Sequence, residues 1–337
     1  MMSTRKRIYV AYVGGTIGMK ATDNGYAPVP GHLTAQIRDR PELHSAEVPE
    51  LAITEYTPLL DSANARPADW LRVARDIWQH RAHYDGFLVL HGTDTMAYTA
   101  SALAFLLRGL GKPVVVTGSQ IPLGVLRSDG RQNLLTSVLV AARDDVREVC
   151  LVFGSKILRG CRAVKASASG FEAFESPNMA PLGAAGVTIE VDSSRLRAVE
   201  PVAVGLPMAL DAPVGLLRVY PGMPASLLRA ALAPPLRGLV LEAYGAGTIP
   251  DGDPEWVGAL SEAREVVVTV VSQCVDGRVD LGAYATSAPL VEAGAVGGFD
   301  MTTEAAYAKL VVLLSEGRPV DEVRALMATD LAGELTR

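Results

Sequence analysis

Short runs of apolar, often β-branched residues alternate with segments of helical spacing along the first 190 residues of this chain. The runs are too short for helices and predict strands at residues 8–13, 51–56, 87–90, 113–117 and 149–153. The segments between them predict helices at residues 67–80, 94–107 and 129–142. Continuous apolar strands that alternate with helices are typical of a parallel sheet covered on both faces, so we expect an α/β fold.

The pattern loosens across residues 191–213, and a second, smaller alternation follows it. This part predicts strands at residues 214–220, 238–242 and 266–271, and helices at residues 224–232, 254–262, 302–314 and 320–328. A length of 337 residues also favours two domains over a single core. We therefore predict two α/β domains: a larger N-terminal parallel-sheet domain at residues 1–192 and a smaller C-terminal domain at residues 212–337, joined by a linker at 193–211.

Composition excludes several classes of protein. A net charge of −6 without a basic stripe argues against nucleic-acid binding. Three cysteines without CxxC spacing do not form a disulfide framework and favour a reducing, cytoplasmic setting. All five histidines lie within the first 91 residues and HExxH is absent, so no zinc site is predicted. No run approaches the roughly 20 apolar residues of a membrane span.

Three predicted strands end in the same way, with glycine followed by a hydroxyl residue. "YVAYVGGT" ends at Gly15 and Thr16, "FLVLHGTDT" reaches Gly92 and Thr93, and "VVVTGSQ" reaches Gly118 and Ser119. One such pair is common turn or helix-cap chemistry. Because ligands bind at the carboxyl ends of parallel strands, three together favour a crevice in which a hydroxyl attacks a polar substrate and backbone amides stabilise the oxyanion.

The first of these turns also resembles part of a nucleotide-binding loop. "GGTIG" supplies only part of the GxGxxG pattern, and the segment after Gly18 is broken by Gly25, Pro28 and Pro30. A dinucleotide loop needs a helix N-terminus at this place, so we disfavour a nucleotide site. The polar, glycine- and proline-containing segment predicts a mobile lid instead. Tyr26 lies in this lid and, on its own, would be an ordinary loop aromatic.

An attacking hydroxyl needs a base, and no histidine follows His91. Lys165 in "RAVKASASGF" is the candidate, as in serine–lysine variants of the catalytic triad, although it could also be a surface lysine. Asp94 could hold a substrate ammonium, orient Lys165, or simply begin a helix. We expect His91 to pack or form hydrogen bonds in the crevice and assign it no chemistry.

These residues occur in motifs that resemble the bacterial-type L-asparaginases, and the cytoplasmic type I branch most of all. The motifs run in order from residue 8 to about residue 315: "YVGGTIGM", "DSANA", "LHGTDTMAYTASAL", "VVTGSQIP", "RAVKASA", "YGAGTIP" and "GGFDMTTEAAYAKL". The resemblance implies hydrolysis of L-asparagine to L-aspartate and ammonia through a covalent acyl-enzyme, without a metal or cofactor. It also implies a cytoplasmic homodimer or homotetramer whose C-terminal domain contributes to the interface and to the neighbouring site.

The resemblance further implies roles for particular residues. Thr16 matches the nucleophile of the family, and Tyr26 matches the residue on the lid that assists this nucleophile. Thr93, Asp94 and Lys165 match the group that activates the attack or a water. The implied substrate-binding residues are Gly15, Ser62, Ala63, Gly92, Thr93, Asp94 and Ser119, with Ser62 and Asp94 gripping the substrate carboxylate and ammonium.

Two other functions remain open at this stage, and one departure from the family pattern bears on regulation. The chain could be a glutaminase-asparaginase of broader specificity, since one methylene is worth only about 1–3 kcal/mol in a pocket. It could also be a catalytically silent amino-acid-binding protein on the same fold. Glu242 lies where allosteric enzymes of this type carry arginine, so we predict no activation by asparagine there.

Overall fold

The computed structural model describes residues 5–23, 25–198, 205–282 and 287–337. It consists of two compact units, the first ending at Leu206 and the second beginning at Pro207. Residues 199–204 of the predicted linker lie outside the described residues. Among the described residues, none of the helices has both the length and the apolar character needed to cross a lipid bilayer.

The strands of the first unit differ in length and pairing. Within the described residues they are, in chain order, β1 (Arg7–Gly14), β2 (Met19–Thr22), β3 (Gly25–Pro28), β4 (Glu50–Leu60), β5 (Gly86–Leu90), β6 (Val114–Thr117), β7 (Val149–Phe153), β8 (Lys156–Arg159), β9 (Val164–Lys165), β10 (Phe174–Glu175), β11 (Gly183–Ala185) and β12 (Ile189–Val191). Eight of them form one sheet in the order β12-β11-β8-β7-β6-β5-β1-β4. The strands from β7 to β4 in this order are parallel to one another, and β2–β3 and β9–β10 are separate antiparallel pairs.

Helices cover both faces of this sheet. The α-helices of the first unit are α1 (His32–Arg38), α2 (Pro67–His80), α3 (Met96–Leu106) and α4 (Gly130–Ala141), and its 3₁₀ turns are Thr16–Gly18, Pro41–His44, Ser62–Asn64, Gly160–Arg162 and Ser193–Arg195. On β1, Val10 and Tyr12 belong to a core cluster that includes Leu134 of α4. Tyr9 points to the other helix layer, because its hydroxyl donates to Asp76 of α2 at 2.9 Å. The α/β fold class is therefore confirmed.

The sheet is parallel from β7 to β4, as predicted, and it carries an antiparallel edge that the sequence did not indicate. β8 runs antiparallel to β7, and β11 and β12 continue the antiparallel edge. Only Gly154 and Ser155 separate β7 from β8, and Gly154 has a φ of +59°. Two residues are enough for a hairpin, whereas a parallel connection needs a crossover of a dozen or more.

The second unit repeats the layered arrangement on a smaller scale. Within its described residues, the strands are β13 (Val214–Arg218), β14 (Gly238–Ala243), β15 (Val267–Ser272) and β16 (Val296–Gly297), and the helices are α5 (Ala225–Leu232), α6 (Pro254–Glu262), α7 (Ala288–Glu292), α8 (Thr303–Ser315) and α9 (Val320–Met327). The four strands are parallel in sequence order. Leu239 and Leu241 pack in a cluster with Trp256 of α6, while Val240 packs with Leu310 of α8. Both faces of this sheet are therefore buried.

Candidate active site

The ends of the neighbouring strands β1 and β5 touch through two glycines. Gly15 has a φ of +94°, which favours glycine, and a Cβ at this position would overlap the backbone nitrogen of Gly92. Thr16 and Thr93 are the next residues on each chain segment. The side-by-side strands and the contact between the glycines thus bring the two "Gly-Thr" ends to one place, as the sequence pattern predicts.

A third segment packs onto this contact from the end of β4. A Cβ on Gly92 would overlap the Ser62 hydroxyl, and the Thr95 hydroxyl donates to the Ser62 carbonyl oxygen at 2.8 Å. The Asp61 carboxylate accepts a hydrogen bond from the Ala63 backbone nitrogen at 3.1 Å and holds the 3₁₀ turn closed. Ser62 is buried beneath the turn and Ala63 is exposed at its surface.

Lys165 joins Thr93 and Asp94 in a cluster of three side chains. Its Nζ lies 2.9 Å from Thr93 Oγ1 and 2.7 Å from Asp94 Oδ1. Thr93 is buried, whereas the Asp94 side chain is 63% exposed and the Lys165 side chain 20% exposed. α3 begins only at Met96, so Asp94 lies in the turn before the helix. Its carboxylate therefore bonds to Lys165 and remains accessible to a substrate group.

His91 lies beside this cluster but is engaged within the protein. Its Nδ1 lies 2.7 Å from the Gly92 carbonyl oxygen, which can only accept, so Nδ1 carries the proton. Nε2 then accepts from the Thr99 hydroxyl at 3.0 Å. Burial lowers the pKa of His91, which favours the neutral ring. The histidine is buried and hydrogen-bonded, as expected from the sequence.

The loop after β6 is held by the predicted Ser119 and by Asp129 and Asn133, which the sequence patterns did not reveal. Ser119 is buried and donates its hydroxyl to the Ile121 carbonyl oxygen at 2.6 Å. Asp129 accepts from the backbone nitrogens of Gln120 at 2.9 Å and of Ile121 at 3.0 Å. Asn133 donates to Asp129 Oδ2 at 3.1 Å and to the Gly118 carbonyl oxygen at 3.0 Å. The i, i+4 spacing of Asp129 and Asn133 at the start of a helix was the one available signal.

The turn that carries Thr16 is shaped by packing beneath it. Thr16 begins a 3₁₀ turn and is partly buried, and a Cβ on Gly18 would overlap the buried Tyr12 hydroxyl. The last glycine of "GGTIG" is thus required by Tyr12. The following segment is the β2–β3 hairpin rather than a helix, and β3 packs near the turn.

Tyr26 is the predicted site residue on the β2–β3 hairpin. It lies on β3 with 53% of its surface exposed. Within the described residues, no hydrogen bond joins it to Thr16. Likewise, no group of three or more histidine, cysteine, aspartate or glutamate residues in the described part of the chain is arranged to hold a metal ion.

The geometry of this site can be compared with known proteins. The protein-family model described as "Asparaginase, N-terminal" matches residues 7–197, and the protein-family model described as "Glutaminase/Asparaginase C-terminal domain" matches residues 213–327. The chain belongs to the asparaginase family. The resemblance inferred from the motifs is therefore confirmed.

Individual members of the asparaginase family match the chain over almost its whole length. It is 48% identical to "L-asparaginase 1" of Escherichia coli K12, with 98% of each chain covered. The crystal structure of L-asparaginase I from Vibrio cholerae matches with a TM-score of 0.90 and 45% identity, covering 99% of this chain and all of that one. The thermostable L-asparaginase from Thermococcus kodakarensis matches with a TM-score of 0.88 and 32% identity, covering 98% and 99%.

Proposed function

We propose that this chain hydrolyses L-asparagine to L-aspartate and ammonia, with Thr16 as the nucleophile. The observation that carries this proposal is the position of Lys165, whose ammonium bonds both Thr93 and Asp94 beside the Gly15–Gly92 contact. The Thr93 hydroxyl, the Lys165 amine and the Asp94 carboxylate then lie next to the turn that carries the Thr16 hydroxyl. The match to L-asparaginase 1 across the whole chain supports the choice of asparagine as the amide.

The reaction has two acyl-transfer steps. In the first, Thr16 Oγ1 attacks the side-chain amide carbon of asparagine, a C–O bond forms, the C–N bond breaks, and ammonia leaves with the proton of the hydroxyl. In the second, water attacks the aspartyl ester, which releases aspartate and restores the Thr16 hydroxyl. Thr93, Asp94 and Lys165 activate the attack or the water, and Tyr26 assists Thr16 when the β2–β3 hairpin closes.

The remaining residues bind and orient the substrate. The exposed Asp94 carboxylate receives the substrate ammonium, and the Ser62 turn with Ala63 receives the α-carboxylate. The backbone of Gly15, Gly92 and Thr93 lets the side-chain amide of the substrate approach closely. The loop at Ser119 closes the opposite side of the crevice. Backbone N–H groups in this crevice stabilise the oxyanion that forms during each attack.

We also propose that the enzyme works in the cytoplasm as a homodimer or homotetramer without a metal or cofactor. The three cysteines, Cys150, Cys161 and Cys274, are free thiols, which supports a reducing compartment. The domain assignment, with the active site in residues 1–192 and an interface in residues 212–337, remains part of this proposal.

Broader action on glutamine is the second candidate. The family model that matches residues 213–327 is described as a glutaminase and asparaginase domain. Glutamine is one methylene longer than asparagine, a difference worth about 1–3 kcal/mol in a binding pocket. The two functions share every residue named above and differ only in the rate with each amide.

An ammonia-release assay with L-asparagine, L-glutamine and D-asparagine tests these proposals together. We expect turnover of L-asparagine, loss of turnover in Thr16→Ala with folding intact, and partial activity in Thr16→Ser, which keeps a hydroxyl. Faster turnover of L-glutamine would favour the second candidate. Thermal stabilisation by L-asparagine without ammonia release would instead identify a silent binding protein and contradict both enzyme proposals.

A further inference from the structure

The side-chain amide of Gln120 lies between two segments of the candidate active site. Its Oε1 is 3.4 Å from Thr93 Oγ1, and its Nε2 is 3.1 Å from the Gly170 carbonyl oxygen. Gly170 belongs to the loop that joins β9, where Lys165 lies, to β10. Gln120 therefore links the strand end that carries Thr93 to the hairpin that carries Lys165.

The hydrogen-bonding capacity of these groups fixes the direction of each bond. The Gly170 carbonyl can only accept, so the amide nitrogen of Gln120 must face it and the amide oxygen must face Thr93. That oxygen also only accepts, so the Thr93 hydroxyl donates its proton to Gln120. The Lys165 ammonium only donates, and Thr93 Oγ1 accepts from it at 2.9 Å. One lone pair of Thr93 Oγ1 is left for a water or for the substrate.

The backbone of Gln120 is itself held in place. Both carboxylate oxygens of Asp129 accept from its backbone nitrogen, at 3.1 Å and 2.9 Å. Asn133 bonds Asp129 Oδ2 at 3.1 Å and also accepts from the Gly154 nitrogen at 3.0 Å. A side chain that starts from so constrained a backbone loses little further entropy when it bridges two partners.

We propose that Gln120 is a positioning residue that sets the direction of the hydrogen bonds around Thr93. The inference rests on the proposed function, in which Thr93 acts beside Lys165. With Gln120 present, the Thr93 proton points away from Lys165 and the free lone pair keeps one orientation. Without it, the hydroxyl rotates among several orientations, and a smaller fraction of the enzyme is ready to react.

The test compares Gln120→Met with Gln132→Met. Gln132 lies on α4 and donates to the Thr136 hydroxyl at 3.1 Å, so this control loses a similar bond outside the site. We expect kcat of Gln120→Met to fall about 10-fold, less than the roughly 100-fold that a misplaced catalytic group costs, with KM changed less than about 3-fold. The control should keep native values. An unchanged kcat, or a rise in KM as large as the fall in kcat, would overturn the proposal.

Gln120→Glu separates the acceptor from the donor. The carboxylate still accepts from Thr93 but repels the Gly170 carbonyl oxygen, whereas the protonated acid can serve both partners. The activity of this variant relative to the native chain should therefore rise as the pH falls toward the ordinary glutamate pKa of about 4.3. A ratio that stays constant with pH contradicts the assigned direction of the bonds.

A failure of the proposed function would be distinguishable from a failure of this inference. If the native chain releases ammonia and Gln120→Met is as active, only the positioning role is wrong. If the native chain releases none, thermal unfolding of Gln120→Met, Thr93→Val and the double variant still tests the bond. Non-additive shifts of the unfolding midpoint support the link between the two residues, and additive shifts overturn it.

Discussion

Gly15 and Gly92 are in such close backbone contact that a Cβ on Gly15 would overlap the Gly92 nitrogen. These residues directly precede Thr16 and Thr93, so the contact fixes the separation of the two backbones from which the threonine hydroxyls extend. In the proposed reaction, one of these hydroxyls attacks while the other stays bonded to Lys165. The contact between the strand ends is therefore a condition for the chemistry as well as for packing.

Replacement of Gly15 by alanine should be much more costly than replacement of a glycine that also has a positive φ but has open surroundings. Gly31 is such a control, with a φ of +77° and no atom within 4 Å of a Cβ. The left-handed conformation of Gly31 alone costs alanine about 1–2 kcal/mol. Gly15, with a ψ of 173°, lies in a region that is essentially restricted to glycine, so its backbone also contributes to the larger loss. Chemical denaturation should show a larger loss for Gly15→Ala, together with lost ammonia release. Equal losses in the two variants would contradict the proposed contact.

Removal of the Lys165 amine should abolish most turnover. We expect Lys165→Met to lower kcat by about 10²–10⁴-fold, because acid–base groups contribute that much to the proton transfers of amide hydrolysis. Lys156→Met on β8 is the control, since it removes an ion pair with Glu175 at 3.9 Å outside the site. Steady-state ammonia release from both variants is the measurement. Near-native turnover in Lys165→Met would exclude the lysine from the mechanism.

Much of the fold follows from the sequence, and the exceptions have identifiable causes. The buried parallel strands β1, β5, β6 and β7 are continuous apolar runs, which makes them visible without homologues. The antiparallel edge is harder to predict, because β8 has four residues with charges at both ends and β11 has three small residues. Such segments carry no periodicity, and only their neighbours make them strands.

Some residues of the candidate site could be predicted from the sequence and others could not. Thr16 and Thr93 follow glycines at strand ends, and this pattern is local in sequence. The bond from Lys165 to Thr93 joins residues 72 positions apart, so the sequence could suggest the partners but not the contact. Gln120 and Asp129 gave little signal, because most of their hydrogen bonds join them to backbone groups or to residues distant in sequence, which residue spacing does not encode.

The second unit should lose stability as the pH rises from about 4.5 to 7. Burial and the neighbouring Glu242 carboxylate raise the pKa of Glu304 to about 7 from its ordinary 4.5, so the folded state binds the proton more tightly than the unfolded state. Glu242 also accepts from the Thr303 hydroxyl at 2.7 Å and lies 3.9 Å from Arg218. The free energy of unfolding should fall by up to about 3 kcal/mol across this window.

Thermal unfolding of Glu304→Gln at several pH values tests this expectation. The stability of Glu304→Gln should decrease much less between pH 4.5 and 7 than that of the native chain. Glu265→Gln, at an exposed position, should show the same decrease as the native chain. Identical pH dependence in the native chain and in Glu304→Gln would show that another group is responsible.

The absence of activation by asparagine, which Glu242 suggests, stays a prediction.

Breaking the buried ion pair near the C-terminus should strongly destabilise the second unit. Lys309 and Glu334 are fully buried with their charged atoms 2.6 Å apart, and Lys309 also donates to the Thr329 carbonyl oxygen. Lys309→Met leaves the buried Glu334 carboxylate without a counter-charge, bonded to the backbone nitrogens of Leu331 and Ala332, which costs about 3–5 kcal/mol. The double variant Lys309→Met with Glu334→Gln removes the charge but keeps an oxygen that accepts from the backbone nitrogens of Leu331 and Ala332, so it should recover part of this loss in chemical denaturation. A double variant that is less stable than the single one would contradict this explanation.

The most direct test of the central claim is to locate the covalent intermediate. The native chain is mixed with L-asparagine, quenched in acid within the first turnovers, digested, and analysed by mass spectrometry. We predict an aspartyl ester on the Thr16 side chain and no ester in Thr16→Ala. An ester on Thr93, or ammonia release by Thr16→Ala at the native rate, would contradict the assignment of Thr16 as the nucleophile.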